Sequence, residues 1–188
     1  LKQFEESPSV LEIPTDRPRP AVKTYHGQIV TKELGRKLSI AFADLAREAN
    51  ATVFMGPIGV INTLLFKYTG QSDIVIGSPV AGREHVDLEN QIGFYVNTLA
   101  LRTSFTGSDT FLDILSRVKR VNLEALEHQI FPFDQLVEEL NANKDRSRQA
   151  LFDVMVVLQN NELALHQQWQ AEISNLSIQT YPESERQV

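Results

Sequence analysis

A mixed α/β fold, one sheet with helices packed on it, is predicted by three observations. Two short apolar runs bounded by turn residues, 73–83 and 151–160, read as buried strands. A longer alternating run at 92–105 reads as a third strand, with Phe94, Val96 and Thr98 on one side and Tyr95, Asn97 and Leu99 on the other. Helix-period segments lie before, between and after them, so strands and helices share one chain.

Taken in order, residues 12–22 hold Pro14, Pro18 and Pro20, with Pro8 just before. Proline fixes φ and removes a donor, so this stretch is an extended linker entering a new unit. Residues 24–34 read as a strand through β-branched Ile29, Val30 and Thr31. Residues 33–49 are an amphipathic helix with Leu34, Leu38, Ala41, Phe42, Leu45 and Ala49 at helical spacing. Asn50 ends it and Thr52 caps the next. Residues 53–69 are apolar nearly all round, which predicts a buried helix. Pro57 sits in its first turn or kinks it, and Gly70 ends it. Residues 107–129 form a helix capped by Ser108 or Asp109, with Phe111, Ile114, Leu115, Val118 and Leu126 near one stripe. A short helix follows at 132–140, with Pro132 in its first turn. A polar loop, 141–150, leads to the strand at 151–160, and 173–182 is an edge strand. The predicted order is β, α, α, β, β, α, α, β, β.

The chain has 188 residues, 42% hydrophobic and 22% charged, an ordinary balance for one globular domain or one large lobe. Its net charge of −6 argues against a dedicated nucleic-acid binder. Without cysteine there is no disulfide, thiolate nucleophile or Cys-based metal site, which is compatible with the cytosol. No run of about 18 apolar residues predicts a membrane helix. The chain begins at Leu1, which fits a fragment or a processed protein.

His26, His85, His128 and His166 are scattered, with no metal-ligand spacing. No nucleophile elbow or Gly-rich phosphate loop occurs, and Glu138 and Glu139 read as a solvated helix face. The residues alone give no complete catalytic constellation. Two features stand out. Arg83 ends an apolar strand behind small Ala81 and Gly82, either as a solvated strand-exit arginine or as a cleft arginine awaiting a carboxylate. Asn97 is an amide within an apolar run. Unpartnered burial would cost roughly 1–3 kcal/mol, so it either crosslinks a loop or faces a channel.

Five stretches, in order, resemble one family: "IPTDRPRP" (13–20), "DIVIGSPVAGR" (73–83), "IGFYVNTLALR" (92–102), "HQIFPFDQLVEEL" (128–140) and "KDRSRQALFDVMVVLQN" (144–160). The family is the condensation domains of non-ribosomal peptide synthetases, and the resemblance covers residues 11–160. It implies a chloramphenicol acetyltransferase-like fold of two lobes with a tunnel between them. It implies amide formation between an aminoacyl or peptidyl thioester and an aminoacyl amine. Both substrates would be carried on phosphopantetheine arms of carrier domains, with no cofactor or metal bound directly. The family's H-H-x-x-x-D-G signature belongs to the N-terminal lobe, and this sequence has no H-H pair. The chain therefore resembles the C-terminal lobe alone, with residues 1–22 as interlobe linker and lobe entry and 23–188 as the lobe. Such a lobe is expected to be inactive by itself.

By the same resemblance Arg83 supports the active site structurally, as salt-bridge partner of the signature aspartate on the other lobe. Ser78, Gly93, Tyr95 and Asn97 would line the cleft or tunnel, and residues 141–180 would contain a segment crossing to the other lobe. His128, Pro132, Phe133, Asp145, Ser147 and Arg148 are motif residues. Where the family has asparagine-proline, this chain has Gln149-Ala150, which leaves the subtype open. Implied partners are the N-terminal lobe, upstream and downstream carrier domains and an adjacent adenylation domain, in the cytoplasm, with neither nucleic acid nor membrane. A carrier-docking lobe without catalysis and a cyclisation or epimerisation domain are the alternatives.

Overall fold

The computed structural model describes residues 2–24, 26–89, 91–140 and 145–159. They fall into two units, one of Leu1–Thr24 with Lys32–Val157, the other of Tyr25–Thr31 with Leu158–Val188. In the larger unit α1 (Arg36–Glu48) and α2 (Met55–Thr69) precede β1 (Asp73–Val80). A short α3 (Val86–Glu89), β2 (Asn97–Ser104), α4 (Phe111–Glu127), α5 (Phe133–Glu139) and β3 (Val154–Met155) follow. The three strands form one sheet in the order β2-β1-β3. β1 runs antiparallel to β2, with Asp73 opposite Ser104 and Val80 opposite Asn97. It runs parallel to β3 through Ile76–Val154 and Gly77–Met155. The sheet is mixed and helices pack on it, as the sequence predicts.

Strand alternation builds a core on each face. On one, Ile74, Ile76, Leu99 and Leu101 pack with Ile58 and Leu65 of α2 and with Ile114, Leu115 and Val118 of α4. On the other, Val75, Ala100, Phe152 and Phe4 cluster beside Phe133, Leu136 and Leu140 around α5. Gly77 belongs to this second face, where a Cβ would overlap the Phe152 ring. A β1 residue with any side chain there would displace that ring.

Helix ends follow local chemistry. Asn50 adopts φ 50° after α1. The Asn50 and Ala51 N–H groups donate to Arg47 and Ala46 carbonyls at 2.9 and 2.8 Å. That is a Schellman closure with asparagine in the left-handed position. Thr52 Oγ1 accepts from the Met55 N–H at 3.3 Å, and Pro57 lies in the first turn of α2. Gly70 closes α2 at φ 71°.

Several expectations need correction. Residues 26–34 form no strand; Val30 is 87% exposed, and among the described residues no strand runs beside the segment. A β-branched run without a partner has no ladder to join. The first helix starts at Arg36, leaving Leu34 outside it, and Leu38 is exposed. α2 is two-faced: Ile58, Asn62 and Leu65 are buried, Val60, Leu64 and Tyr68 exposed, because it covers the sheet from one side only. The second strand starts at Asn97, five residues late, with Ile92 and Phe94 exposed. Thr110, not Ser108 or Asp109, caps α4. It accepts from the Asp113 N–H, and Asp113 accepts from Thr110 in return, a capping box. Asp109 instead pairs with Arg117 at 3.2 Å. Leu126 lies off the buried stripe and is exposed. Pro132 is the cap of α5, one residue ahead of its first turn. The strand at 151–160 shrinks to Val154–Met155, with Met155, Val157 and Leu158 exposed. The edge strand at 173–182 lies outside the described residues, as does most of 141–180.

Residues 12–22 carry no regular element, as their prolines predict. The stretch before them is anchored at two points: Phe4 and Leu11 are 5% and 6% exposed, one in each core.

Candidate functional site

Arg83 lies in the loop that leaves β1 and Asn97 opens β2 beside it, because Val80 and Asn97 end the β1–β2 ladder as a pair. Beyond Val80 the chain turns at Gly82, φ 63°, where a Cβ would overlap the Tyr95 carbonyl. Only glycine combines that left-handed conformation with so close an approach. The turn aims Arg83 back across residues 84–95. Its guanidinium donates to the Leu88 carbonyl and, at 3.3 Å, to the Gly93 carbonyl. It stacks 4.4 Å from the centroid of the Tyr95 ring, a cation–π contact. Tyr95 Oη in turn donates to Gln91 Oε1 at 2.8 Å. Among the described residues Arg83 makes no ion pair. Carbonyls and a ring hold it in place without neutralising it.

Asn97 is a crosslink. Its Nδ2 donates to the Gln129 and Phe131 carbonyls at 2.7 and 2.8 Å, and its Oδ1 accepts from the Phe133 N–H at 3.1 Å. Three bonds tie the start of β2 to the loop between α4 and α5. The amide also borders an open depression of about 510 Å³ with Gly82, His85, Tyr95, Gln129 and Pro132. Of the two alternatives at the level of sequence, the crosslink is the one these bonds make.

The other singled-out residues lie elsewhere. Ser78 is 3% exposed within β1, opposite Leu99. His128 follows the last turn of α4 and borders a second cavity. The Phe133 ring sits 5.5 Å from that of Phe152 in the second core. Asp145, Ser147 and Arg148 belong to a separate cluster that secures the proline-rich entry. Asp145 accepts from the Ser147 hydroxyl and amide at 2.7 and 2.8 Å, and these bonds hold its carboxyl below the usual range. Arg148 donates to Asp153 at 2.5 Å and to the Leu11 carbonyl at 3.0 Å. Arg19 reaches the Ser147 carbonyl at 3.4 Å, and the Lys23 N–H donates to the Arg146 carbonyl at 2.9 Å.

Sequence reasoning gave Arg102 no role beyond its place in a motif, yet it is the most engaged arginine described. Its Nε and Nη2 meet Asp73 at 2.9 and 2.7 Å, and Nη1 donates to the Gln3 and Glu6 carbonyls at 2.9 and 2.6 Å. Hydrogen bonding from Arg102 holds the Asp73 carboxyl below its ordinary range. The signal was diagonal register: Asp73 faces Ser104, two residues from Arg102 on the same side of β2.

A mixed sheet with helices packed on it is the architecture of a chloramphenicol acetyltransferase-like fold. The sequence profile of the condensation domain matches residues 1–188, and the chain belongs to the condensation-domain family of non-ribosomal peptide synthetases. It is 44% identical to gramicidin S synthase 2 of Brevibacillus brevis over 162 residues, 86% of this chain and 4% of that protein. It is 46% identical to bacitracin synthase 3 of Bacillus licheniformis over 160 residues, 85% of this chain and 2% of that protein. The chain thus spans a few hundredths of the length of these curated relatives. Among solved structures, holo-AB3403, a four-domain nonribosomal peptide synthetase bound to AMP and glycine, superposes with a TM-score of 0.78 at 29% identity, covering 81% of this chain and 12% of that one. The X-domain from teicoplanin biosynthesis gives 0.73 at 28% identity, covering 78% and 32%. No described helix is long and apolar enough to cross a membrane.

Proposed function

We propose that this chain is the C-terminal lobe of a condensation domain that joins a carrier-bound aminoacyl or peptidyl thioester to a carrier-bound aminoacyl amine. Residues 1–22 are its entry from the N-terminal lobe and 23–188 the lobe proper. The observation that carries this reading is Arg83. It is held by two carbonyls and the Tyr95 ring, with no carboxylate partner among the described residues. A guanidinium so fixed and unneutralised fits a bidentate bond to a carboxylate supplied from outside, here the aspartate of an H-H-x-x-x-D-G signature. Gly93, Tyr95 and Asn97, with Ser78 behind them, would wall the tunnel on this side. Phosphopantetheine arms would bring both substrates in from carrier domains, beside an adenylation domain and in the cytoplasm.

The reaction needs a group to assist the attacking amine and donors for the tetrahedral oxyanion. The sequence has no H-H pair to supply the first. Incubated alone with loaded donor and acceptor carriers, the chain is expected to form no amide by mass spectrometry, and measurable turnover would overturn the lobe assignment. In the full synthetase, Arg83→Ala is expected to lower amide formation at least tenfold. Arg83→Lys should not restore it, since a lysine lacks the planar fork. Wild-type rates in both would remove Arg83 from the active-site scaffold.

A second reading has support of its own. The X-domain in complex with OxyB from teicoplanin biosynthesis superposes with a TM-score of 0.76 at 26% identity over 82% of this chain. A domain of this fold can therefore dock a partner protein. Under that reading Arg83→Ala weakens partner binding and leaves amide formation unchanged.

A further inference from the structure

β2 lies at one side of the sheet. Strand parity fixes which backbone groups face outward. Pro79 stands opposite Thr98 and has no N–H, which suits a pair that exchanges no hydrogen bonds. Alternate β1 residues, Val75, Gly77 and Pro79, then point away from β2. The Gly77 carbonyl duly accepts from the Val156 N–H at 2.9 Å on the β3 side. By the same parity the N–H and C=O groups of Thr98, Ala100 and Arg102 point away from β1. Among the described residues β2 is an outer strand of the sheet, and these groups meet no fourth strand there.

One rung of this edge is already occupied. The Gln3 side-chain amide donates to the Arg102 carbonyl at 3.0 Å, much as a backbone amide would. The next two rungs, Ala100 and Thr98, have no outward hydrogen-bond partner among the described residues, although Ala100 is 8% exposed. Both open into a cavity of about 480 Å³ walled by Phe4, Ala125, Phe131 and Leu136. Glu124 lines it near the C-terminal end of α4, where the helix dipole adds negative potential, and its only cation among the described residues is exposed Arg120 at 4.0 Å. Unpaired backbone groups ask for an extended backbone, the apolar walls for an apolar side chain, and Glu124 for a cation.

We propose that Thr98–Ala100 binds an extended peptide segment by β-strand addition. One apolar side chain of that segment enters the cavity, and a lysine or arginine lies beside Glu124. The site is separate from the Arg83 loop and does not depend on the condensation reading.

The test uses the full chain, labelled with ¹⁵N, and an N-acetylated, C-amidated heptapeptide of alternating valine and threonine with one terminal lysine. Binding should slow amide exchange at Thr98 and Ala100. N-methylating one alternate set of peptide residues should weaken binding about tenfold or more, through lost hydrogen bonds, and N-methylating the other set should not. Ala100→Pro removes an edge donor while sparing the β1 ladder, so it should weaken binding as much. Should that variant unfold, Glu124→Lys should weaken the lysine peptide and favour a glutamate one. No binding at about 1 mM peptide would overturn the proposal, a concentration at which even weak sites fill. Equal effects of the two N-methylated sets would overturn it too, as would self-association that protects the same amides without peptide.

Discussion

Arg102 and Asp73 show how much one pair can organise. The arginine side chain is 12% exposed and the aspartate 28%, so their two-point contact is only partly screened. The remaining guanidinium nitrogen holds residues 3 and 6, coupling the ion pair to the placement of Phe4. Because the Asp73 carboxyl titrates below its ordinary value of 3.8, the ionised pair stabilises the fold fully above that value. That contribution is lost as pH falls through the lower, folded-state value. Arg102→Met is expected to lower stability at pH 7 by about 2 kcal/mol, the scale of hydrogen bonds to a charged group. Urea midpoints at pH 7 and pH 3 check this, with the gap from wild type shrinking at pH 3. It should not vanish, because the bonds to the Gln3 and Glu6 carbonyls do not titrate. Asp73→Asn should show a flatter acid limb.

Among the elements, α4 offers the cleanest test of local chemistry. Its capping box satisfies two groups reciprocally, so Thr110→Ala is expected to cost about 1 kcal/mol and Thr110→Ser almost nothing. Thermal melts distinguish the two. Elements with a strong period were legible from sequence: α1, α2 and α4 lie within a few residues of their predicted places. Strand ends were not, because they depend on a partner. Residues 92–96 alternate like a strand, yet β1 ends at Val80 and turns away at Gly82, leaving them nothing to pair with. Met155 and Val157 read as buried for their composition alone, and β3 meets β1 at only two positions. The site was half legible for a related reason. Small residues before Arg83 marked a place of close approach, but the ligands of its guanidinium are carbonyls of Leu88 and Gly93, which no side-chain pattern reveals. Asn97 declared itself as a polar group needing partners, while the identity of those partners came only with the fold.

At the scale of the whole molecule, a clasp joins the proline-rich entry to residues 145–153. Arg148 is its centre, reaching Leu11, Asp145 and Asp153 together. Arg148→Met is expected to loosen the entry before it unfolds the lobe. Trypsin reports this well. Arg17 and Arg19 each precede a proline and resist cleavage, which leaves Lys23 as the exposed target. Cleavage after Lys23 should quicken several-fold in the variant while the circular dichroism melt shifts only slightly. Equal cleavage rates would mean that the Lys23 bonds to Arg146 and Gln149 hold the entry unaided.

The clasp also has a bearing on time. Gln3 and Arg102 lie 99 positions apart, and Leu11 and Arg148 are separated by 137. On a ribosome the entry residues wait for partners made later in the same unit. Phe4 and Leu11 complete their burial only once the segment that carries Arg148, Phe152 and Val156 has emerged. Long-range closure of this kind slows folding, so the unit completes itself late. A nascent chain that stalls before Arg148 would present two loose apolar anchors to the chaperones that meet it.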